Sequence, residues 1–132
     1  MANRSKDWLS QAVRDLNCAK EIQKRGWHEW ACFVAQQSAE KAVKALHLSL
    51  GQEAWGHVIG KLLKELPFKI SNGLIDKAKI LDAHYIPARY ANGHPEGAPF
   101  EHYGPIQSRE AIKYAGEILK FVRKKVAAKR KS

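Results

Sequence analysis

The feature that most constrains the fold is a run of apolar residues at helical spacing within residues 27–50. Small or branched side chains recur there every three or four positions, the period of one face of an α-helix. The stripe consists of Ala35, Ala39, Ala42, Val43, Leu46 and Leu50. Because several of these side chains are small, neighbouring helices can approach closely through ridges-into-grooves packing. The segment therefore predicts the central helix of a bundle, ending at Gly51.

Four further segments also carry helical signals, and no alternating strand pattern of convincing length interrupts them. A helix-favouring cap, a glycine stop or a proline breaker marks most of their ends. They run from about Ser5 to Gly26, from Gly56-His57 to just before Pro67, from Ser71 or Asn72 through Tyr85 to the break at Pro87, and onward from about Ser108. We predict an all-α, antiparallel up-down bundle of four to five helices, forming one domain over residues 1–132.

The segment 87–105 differs from the rest of the chain, because prolines and glycines alternate in it with Tyr90, Phe100 and Tyr103. Proline stiffens such a loop, and aromatic side chains can pin it to the core. A loop this long in a small domain is more often functional than accidental. We therefore expect an ordered, functional loop before the last helix.

The chain carries a formal net charge of +10, and residues 123–132 contribute six of its lysines and arginines. An excess of positive charge favours polyanionic partners such as RNA or nucleotides. The alternative is a solvated basic tail, whose charges suit the negative end of the last helix dipole. Both interpretations predict a basic C-terminal tail at 123–132.

Cys18 and Cys32 each lie alone within a helical apolar pattern, so we expect both to be small buried side chains. The N-terminus leads into no apolar signal-peptide core, and no apolar stretch approaches the roughly 20 residues of a membrane span. A secreted scaffold of this size usually has more cysteines. The expected location is the cytoplasm, without membrane contact.

Several blocks of the sequence form a recognisable pattern, and the most distinctive is the segment 33–46, which reads FVAQQSAEKAVKAL. The other blocks are Trp8, Ala12, Asp15, Leu16, Ala19, Gly56-His57, Leu81-Asp82, Tyr85-Ile86 and Arg89-Tyr90 with the Pro/Gly stretch behind it. In this order the blocks resemble the HEPN family (higher eukaryotes and prokaryotes nucleotide-binding). The match covers nearly the whole chain, and the order and spacing of the blocks are more specific than any one block.

The resemblance implies a helical bundle that commonly forms homodimers. It also implies frequent pairing with a small nucleotidyltransferase encoded beside it. In many such pairs the HEPN chain is an RNA-cutting toxin, whereas other members are inert binding subunits. No Gly-rich phosphate loop is visible in this sequence, so nucleotidyl transfer is expected to belong to the partner chain.

The resemblance also implies catalytic residues, because active family members carry an arginine and, four to six residues later, a histidine. Arg89 and His94 match this spacing with four residues between them. Histidine transfers protons near neutral pH, and the arginine fork binds the charge that develops on a phosphate. Metal-independent cleavage of RNA is therefore one hypothesis, with Arg89 and His94 as the catalytic pair and no cofactor.

Structural roles compete with these assignments. His94 could cap or pack within the loop, and Arg89 could pair with Asp82 or Glu101 or stack on Tyr85 or Tyr90. Toxin members controlled by their partner often carry a tyrosine two residues after the histidine, where this chain has Glu96. The second hypothesis is therefore a non-catalytic nucleotide- or nucleic-acid-binding subunit of a two-component nucleotidyltransferase.

A polar strip on the central helix completes the candidate site. Gln37, Lys41 and Lys44 could line a groove beside Arg89 and Tyr90 and bind phosphate or nucleotide, or they could form an ordinary solvated face. His84, His94 and His102 match no metal-ligand spacing, so no metal site is expected. His57 is expected to cap the short helix or to lie at its start.

Overall fold

A computed structural model describes the backbone of residues 3–131 and the side chains of residues 3–129. Within this part of the chain the regular structure is entirely helical, with five α-helices and no strand. The helices are α1 (Ser5–Lys24), α2 (His28–Ser49), α3 (Ile59–Lys64), α4 (Asn72–Asp82) and α5 (Pro105–Lys131), with two 3₁₀ turns at Ala91–Gly93 and Pro99–His102. The predicted all-α bundle is confirmed. None of the described helices is long and apolar enough to cross a bilayer.

Helix α2 is central, because it packs against both α1 and α5 and also contacts α3 and α4. One line of alanines along α2 is completely or almost completely buried: Ala31, Ala35, Ala39, Ala42 and Ala45. A methyl side chain keeps the backbones of packed helices close together. Larger side chains such as Leu46, Leu63 and Ile118 fill the remaining core. The predicted central helix is thus confirmed.

Glycines end the first two helices as expected, since Gly26 and Gly51 adopt positive φ values of 81° and 76°. Non-glycine residues rarely adopt this conformation, which allows the chain to reverse at a helix C-terminus. The N–H of Trp27 donates to the carbonyl of Ile22 at 3.2 Å and closes the end of α1. The three residues 25–27 then join α1 to α2 as an antiparallel pair.

The start of α4 follows its predicted cap, because Ser71 Oγ accepts a hydrogen bond from the N–H of Leu74 at 3.2 Å. Its end does not follow the prediction: α4 stops at Asp82, and residues 83–89 form successive turns. Pro87 has no N–H to bond the carbonyl four residues earlier, and its ring disfavours the helical conformation of the preceding residue. Tyr85 therefore lies on a turn.

Helix α5 begins three residues earlier than the prediction at Ser108. Proline suits the first helical position because its φ is preset and its missing N–H would have no partner there. Pro105 occupies that position, and the side chain of Gln107 accepts the N–H of Gly104 at 2.7 Å. The predicted basic tail continues α5 as far as Lys131, and Ser132 lies outside the described residues.

The expectation for the cysteines was half wrong, because Cys18 is exposed and only Cys32 is buried. Ala12, Leu16 and Ala19 form the buried face of α1, and Cys18 lies off that face. Burial raises the pKa of the Cys32 thiol to about 12, so this thiol stays protonated at neutral pH. Cys32 therefore behaves as a small core residue.

Candidate functional site

Arg89, on the turn after α4, is held by three aromatic rings. Its guanidinium carbon lies 4.4 Å from the centre of the Tyr85 ring, 4.5 Å from that of Phe33 and 4.8 Å from that of Tyr90. Its Nε donates to the carbonyl of Tyr85 at 2.8 Å. Ring faces attract cations, so these contacts fix the position of the guanidinium.

No carboxylate forms an ion pair with Arg89 among the described side chains. Of the two carboxylates expected as alternatives, Glu101 accepts the N–H of Ala98, and Asp82 accepts from α3. Of the alternatives for Arg89, the structure contains the stacking of its guanidinium on Tyr85 and Tyr90. A guanidinium that is oriented by rings but not neutralised by an acid keeps donors for an anion from outside the fold.

His94 is bound to the same turn as Arg89. Its Nε2 lies 2.7 Å from the carbonyl oxygen of Pro87, and a carbonyl only accepts, so Nε2 carries a proton and donates. The side chains of Arg89 and His94 thus bond to carbonyls two residues apart in sequence. No hydrogen bond or ring contact joins the two side chains directly in the described part of the chain.

The imidazole of His94 also packs within its loop. It stacks on the ring of His102, with the ring centres 4.1 Å apart and the planes 2° from parallel, and it meets the edge of Tyr103. His102 Nε2 in turn donates to the carbonyl of Glu96 at 2.6 Å. The packing alternative for His94 therefore describes its surroundings, and its catalytic role stays a prediction.

A buried carboxylate on α2, that of Glu40, forms a polar centre. Glu40 is only 4% exposed, and it accepts from Gln36 Nε2 at 3.0 Å and pairs with Lys44 Nζ at 3.0 Å. Nδ1 of His57 lies 3.2 and 3.1 Å from its two oxygens. A buried charge is costly unless it is paired and hydrogen-bonded, and these three partners meet that need.

His57 connects this polar centre to the aromatic rings around Arg89. Its ring stacks on Tyr85, with the ring centres 4.7 Å apart and the planes 17° from parallel. Tyr85 therefore contacts both the His57 imidazole and the Arg89 guanidinium. We call the six residues of this arrangement the Arg89 cluster: Phe33, Glu40, His57, Tyr85, Arg89 and Tyr90.

His57 was expected to cap α3 or to lie at its start; it does not cap the helix, and it lies two residues before the first helical residue, Ile59. The carboxylate of Asp82 accepts the N–H groups of Ile59 and Gly60 at 2.7 and 3.0 Å. Burial raises the pKa of Asp82, although these two hydrogen bonds act in the opposite direction. The cap on α3 is thus supplied by α4, and His57 is left to pair with Glu40.

The predicted phosphate- or nucleotide-binding residues are not all in one place. Tyr90 lies on Arg89, and Lys44 belongs to the polar centre at Glu40. Gln37 donates to the side chain of Gln36 at 2.8 Å. Lys41 instead pairs with Asp15 of α1 at 2.6 Å. Binding roles for Gln37, Lys41 and Lys44 stay predictions.

Sequence reasoning missed Glu40 and His57 as members of the site. Glu40 lies four residues from both Gln36 and Lys44, a spacing that places all three on one helix face. That local signal was available, but its link to His57 exists only in the fold. Among the described residues, no group of three His, Cys, Asp or Glu side chains is placed to hold a metal.

A model of the HEPN domain matches residues 5–125. The chain belongs to the HEPN family. Its match to TT1696 of Thermus thermophilus has a TM-score of 0.92 with 46% identity, and covers 94% of this chain and 99% of that one. The match to the archaeal HEPN homologue ST0689 has a TM-score of 0.83 with 39% identity, and covers 95% of this chain and 99% of that one.

A further HEPN structure, tm0613 of Thermotoga maritima, has a TM-score of 0.74 and 35% identity, covering 89% of this chain and 95% of that one. A protein of Methanocaldococcus jannaschii named "Putative toxin MJ1304" is 26% identical over 130 residues, which are 90% of this chain and 86% of the relative. The three solved structures share the HEPN fold over almost their full lengths. The resemblance inferred from the sequence is therefore confirmed for the family.

His84 should make the stability of the protein depend on pH. Burial lowers the pKa of His84, whose Nδ1 lies 3.1 Å from the hydroxyl of Tyr103. Below about pH 6.5, the usual value for histidine, the unfolded chain binds this proton more readily than the folded chain does. The free energy of unfolding should therefore fall as the pH drops from about 6.5 through the folded value.

Urea denaturation at about pH 7.5 and about pH 5.5 measures this effect. We expect the loss of stability at the lower pH to be smaller in His84→Gln than in the unmodified protein. An equal loss in both proteins would show that His84 does not contribute.

Proposed function

We propose that this HEPN protein is a metal-independent endoribonuclease of the toxin type that works with a small nucleotidyltransferase partner in the cytoplasm. The observation that carries the proposal is the guanidinium of Arg89, oriented by three rings and one carbonyl and left without a carboxylate among the described side chains. Such a group suits a phosphodiester, which offers two oxygens to the arginine fork.

The proposed reaction is transesterification within RNA. The ribose 2′-hydroxyl gives its proton to a base, its oxygen forms a bond to phosphorus, the P–O5′ bond breaks, and the 5′-oxygen takes up a proton. Arg89 stabilises the negative charge that gathers on the phosphate oxygens. His94 donates the proton that the 5′-oxygen takes up: its Nε2–H stays bonded to the carbonyl of Pro87, so the transferred proton is the one that the imidazolium form carries on Nδ1.

Several observations support a toxin-type role in a pair. The family contains such toxins, and one relative from Methanocaldococcus jannaschii carries the word toxin in its name. The net charge of +10 suits an RNA substrate. Because Glu96 replaces the tyrosine that follows the histidine in partner-modified toxins, we infer that control by the partner acts through binding rather than through modification at that position.

The surface around Arg89 supports a homodimer. Trp30, Ile86 and Tyr90 are 44%, 46% and 49% exposed, although they are large apolar side chains. Trp30 packs edge-on against Phe33, which itself lies on Arg89, so this patch continues into the Arg89 cluster. A contiguous apolar patch of this kind marks an interaction surface. A second copy on the patch would place two Arg89 sites along one groove.

Trp30→Ser should weaken the dimer, because it removes the largest side chain of the exposed patch. We expect the dissociation constant of the dimer to rise at least about tenfold, which corresponds to a loss of about 1.4 kcal/mol in the free energy of association. Light scattering over a dilution series measures it. Trp55→Ser is the matched control, since Trp55 is 78% exposed but lines a different cavity, with Trp8 and Leu48. A monomeric unmodified protein, or equal effects of the two changes, would contradict this interface.

The purified protein should cleave RNA in the presence of EDTA, and Arg89→Ala and His94→Ala should each lower kcat/KM by about 100-fold or more. Arg89→Lys should also be impaired, because lysine keeps the charge but loses the planar fork. Arg25→Ala is the control, since it removes one exposed positive charge at the end of α1. Cleavage that needs a metal, or that persists in either alanine variant, would contradict the mechanism. Binding of RNA without cleavage would favour the non-catalytic subunit.

A further inference from the structure

We propose that Glu40 and His57 form a second proton-transfer group of the Arg89 cluster, with His57 as a catalytic base and Glu40 as its positioning residue. The inference rests on the proposed ribonuclease function and adds the group that activates the 2′-hydroxyl. Three features of the structure support it: the tautomer of His57, its accessibility, and its contact with the same ring as Arg89.

The tautomer follows from the hydrogen bond. An ionised carboxylate only accepts, so the Nδ1 that lies 3.1 and 3.2 Å from the oxygens of Glu40 must carry a proton. In the neutral imidazole, Nε2 then has the free lone pair. The same arrangement of a carboxylate behind an imidazole prepares the base in hydrolases, by fixing the ring and stabilising the imidazolium that forms.

The position of the free nitrogen is suitable for catalysis. The side chain of His57 is 55% exposed, whereas that of Glu40 is 6% exposed, so the carboxylate is held inside and the imidazole reaches solvent. Among the described side chains, only Nδ1 of the ring has a hydrogen-bond partner. Nε2 is therefore available to an incoming hydroxyl group.

The ring of Tyr85 brings the base and the cation together. It lies 4.7 Å from the imidazole centre and 4.4 Å from the guanidinium carbon, so the two groups contact the same ring. A ribose 2′-hydroxyl and its neighbouring phosphate are adjacent on one nucleotide. His57 and Arg89 both lie against Tyr85, so the proposed step has a phosphate bound by Arg89 bring the neighbouring hydroxyl within reach of Nε2 of His57.

Hydrogen bonds from its neighbours hold the carboxylate of Glu40 in one orientation. Gln36 and Lys44 both bind its carboxylate, and the negative charge of Glu40 contributes to the raised pKa of Asp82 on α4. Two titratable side chains contact His57 directly among the described residues, Glu40 and Tyr85. Three more charged or titratable groups interact with one of these two: Lys44 and Asp82 with Glu40, and Arg89 with Tyr85. Lys44 offsets part of the negative charge, and Glu40 is the charged group that the imidazole contacts directly among the described side chains.

The proposed step moves one proton at each end of the reacting phosphate. Nε2 of His57 takes the proton of the 2′-hydroxyl as the 2′-oxygen forms its bond to phosphorus. The P–O5′ bond breaks, and its electron pair leaves with the 5′-oxygen, which accepts the proton that the proposed function assigns to His94. The products are a 2′,3′-cyclic phosphate and a free 5′-hydroxyl. No oxidant, reductant or metal is needed for this balance.

The test is a set of steady-state pH profiles on a fluorogenic RNA with the full-length protein. His57→Gln should lower kcat about 100-fold with KM changed less than about threefold, and should remove the fall of kcat toward acid pH. His28→Gln is the matched control, because His28 is a partly buried histidine that bonds Ser108 and lies outside the Arg89 cluster. Its profile should match that of the unmodified protein.

A double-mutant cycle tests the role of Glu40. Glu40→Gln should lower kcat about tenfold in the unmodified protein and should have no further effect in the His57→Gln background, because the two residues act as a unit. If the two effects multiply instead, Glu40 acts through packing and its positioning role is overturned. Since His57 is exposed and a glutamine side chain can still donate to Glu40, His57→Gln should keep the unmodified thermal midpoint, so its kinetics report catalysis.

The outcomes separate this inference from the proposed function. If Arg89→Ala is inactive but His57→Gln keeps the full kcat and its pH profile, the ribonuclease stands and the His57 base is overturned. If the unmodified protein does not cleave RNA, both are overturned. A specific loss of kcat in His57→Gln, with analysis of the products showing the 2′,3′-cyclic phosphate, supports both.

Discussion

The close packing of α2 between α1 and α5 is the constraint on which the rest of the structure depends. The buried alanines remove side-chain volume from α2 and let the neighbouring helices approach closely. Polar residues on the same helix then have little access to water. They therefore bond to other protein groups. Ser38 donates to the carbonyl of Ala12 at 2.6 Å, and the carboxylate of Glu40 binds Gln36, Lys44 and His57. The fixed polar centre at Glu40 is thus a consequence of the packing.

The site combines this rigid helix with a less regular segment. Phe33 and Glu40 come from α2, whereas Tyr85 and Arg89 come from the turns of residues 83–89 after α4, and Tyr90 follows these turns directly. Because both Arg89 and His94 bond to carbonyls of that turn, its conformation sets the direction of both side chains. The HEPN fold alone does not determine an activity, and the chemistry depends on how these few side chains are oriented.

Sequence reasoning succeeded where the signal was local. The stripe of α2 predicted its central position, Gly26 and Gly51 predicted two helix ends, and Ser71 predicted a cap, because each depends on residues within one or two turns. The stacking of Arg89 on Tyr85 and Tyr90 was among the alternatives for the same reason. The early start of α5 is not evident from the sequence, because Pro105 closes a Pro/Gly-rich loop and a proline there fits a loop residue as well as a first helical residue.

The contacts that could not be predicted from the sequence join residues that are far apart along the chain. Glu40 and His57 are 17 positions apart, and the cap that Asp82 places on α3 spans 22 and 23 positions. Phe33 contacts Arg89 although α3 and α4 lie between them in the sequence. Neither the helical period nor the spacing of residues predicts such contacts. They arise because α3 and the turn after α4 pack onto α2. The HEPN resemblance indicated the fold but not this network.

The central claim is that Arg89 is a binding site for a phosphodiester. The most direct measurement is a crystal structure of the protein with a short RNA carrying 2′-O-methyl groups, which prevent attack by the 2′-oxygen. We predict a backbone phosphate with its oxygens about 2.7–2.9 Å from the guanidinium nitrogens of Arg89. RNA bound instead along the basic end of α5, with the Arg89 guanidinium still without an anion, would contradict it.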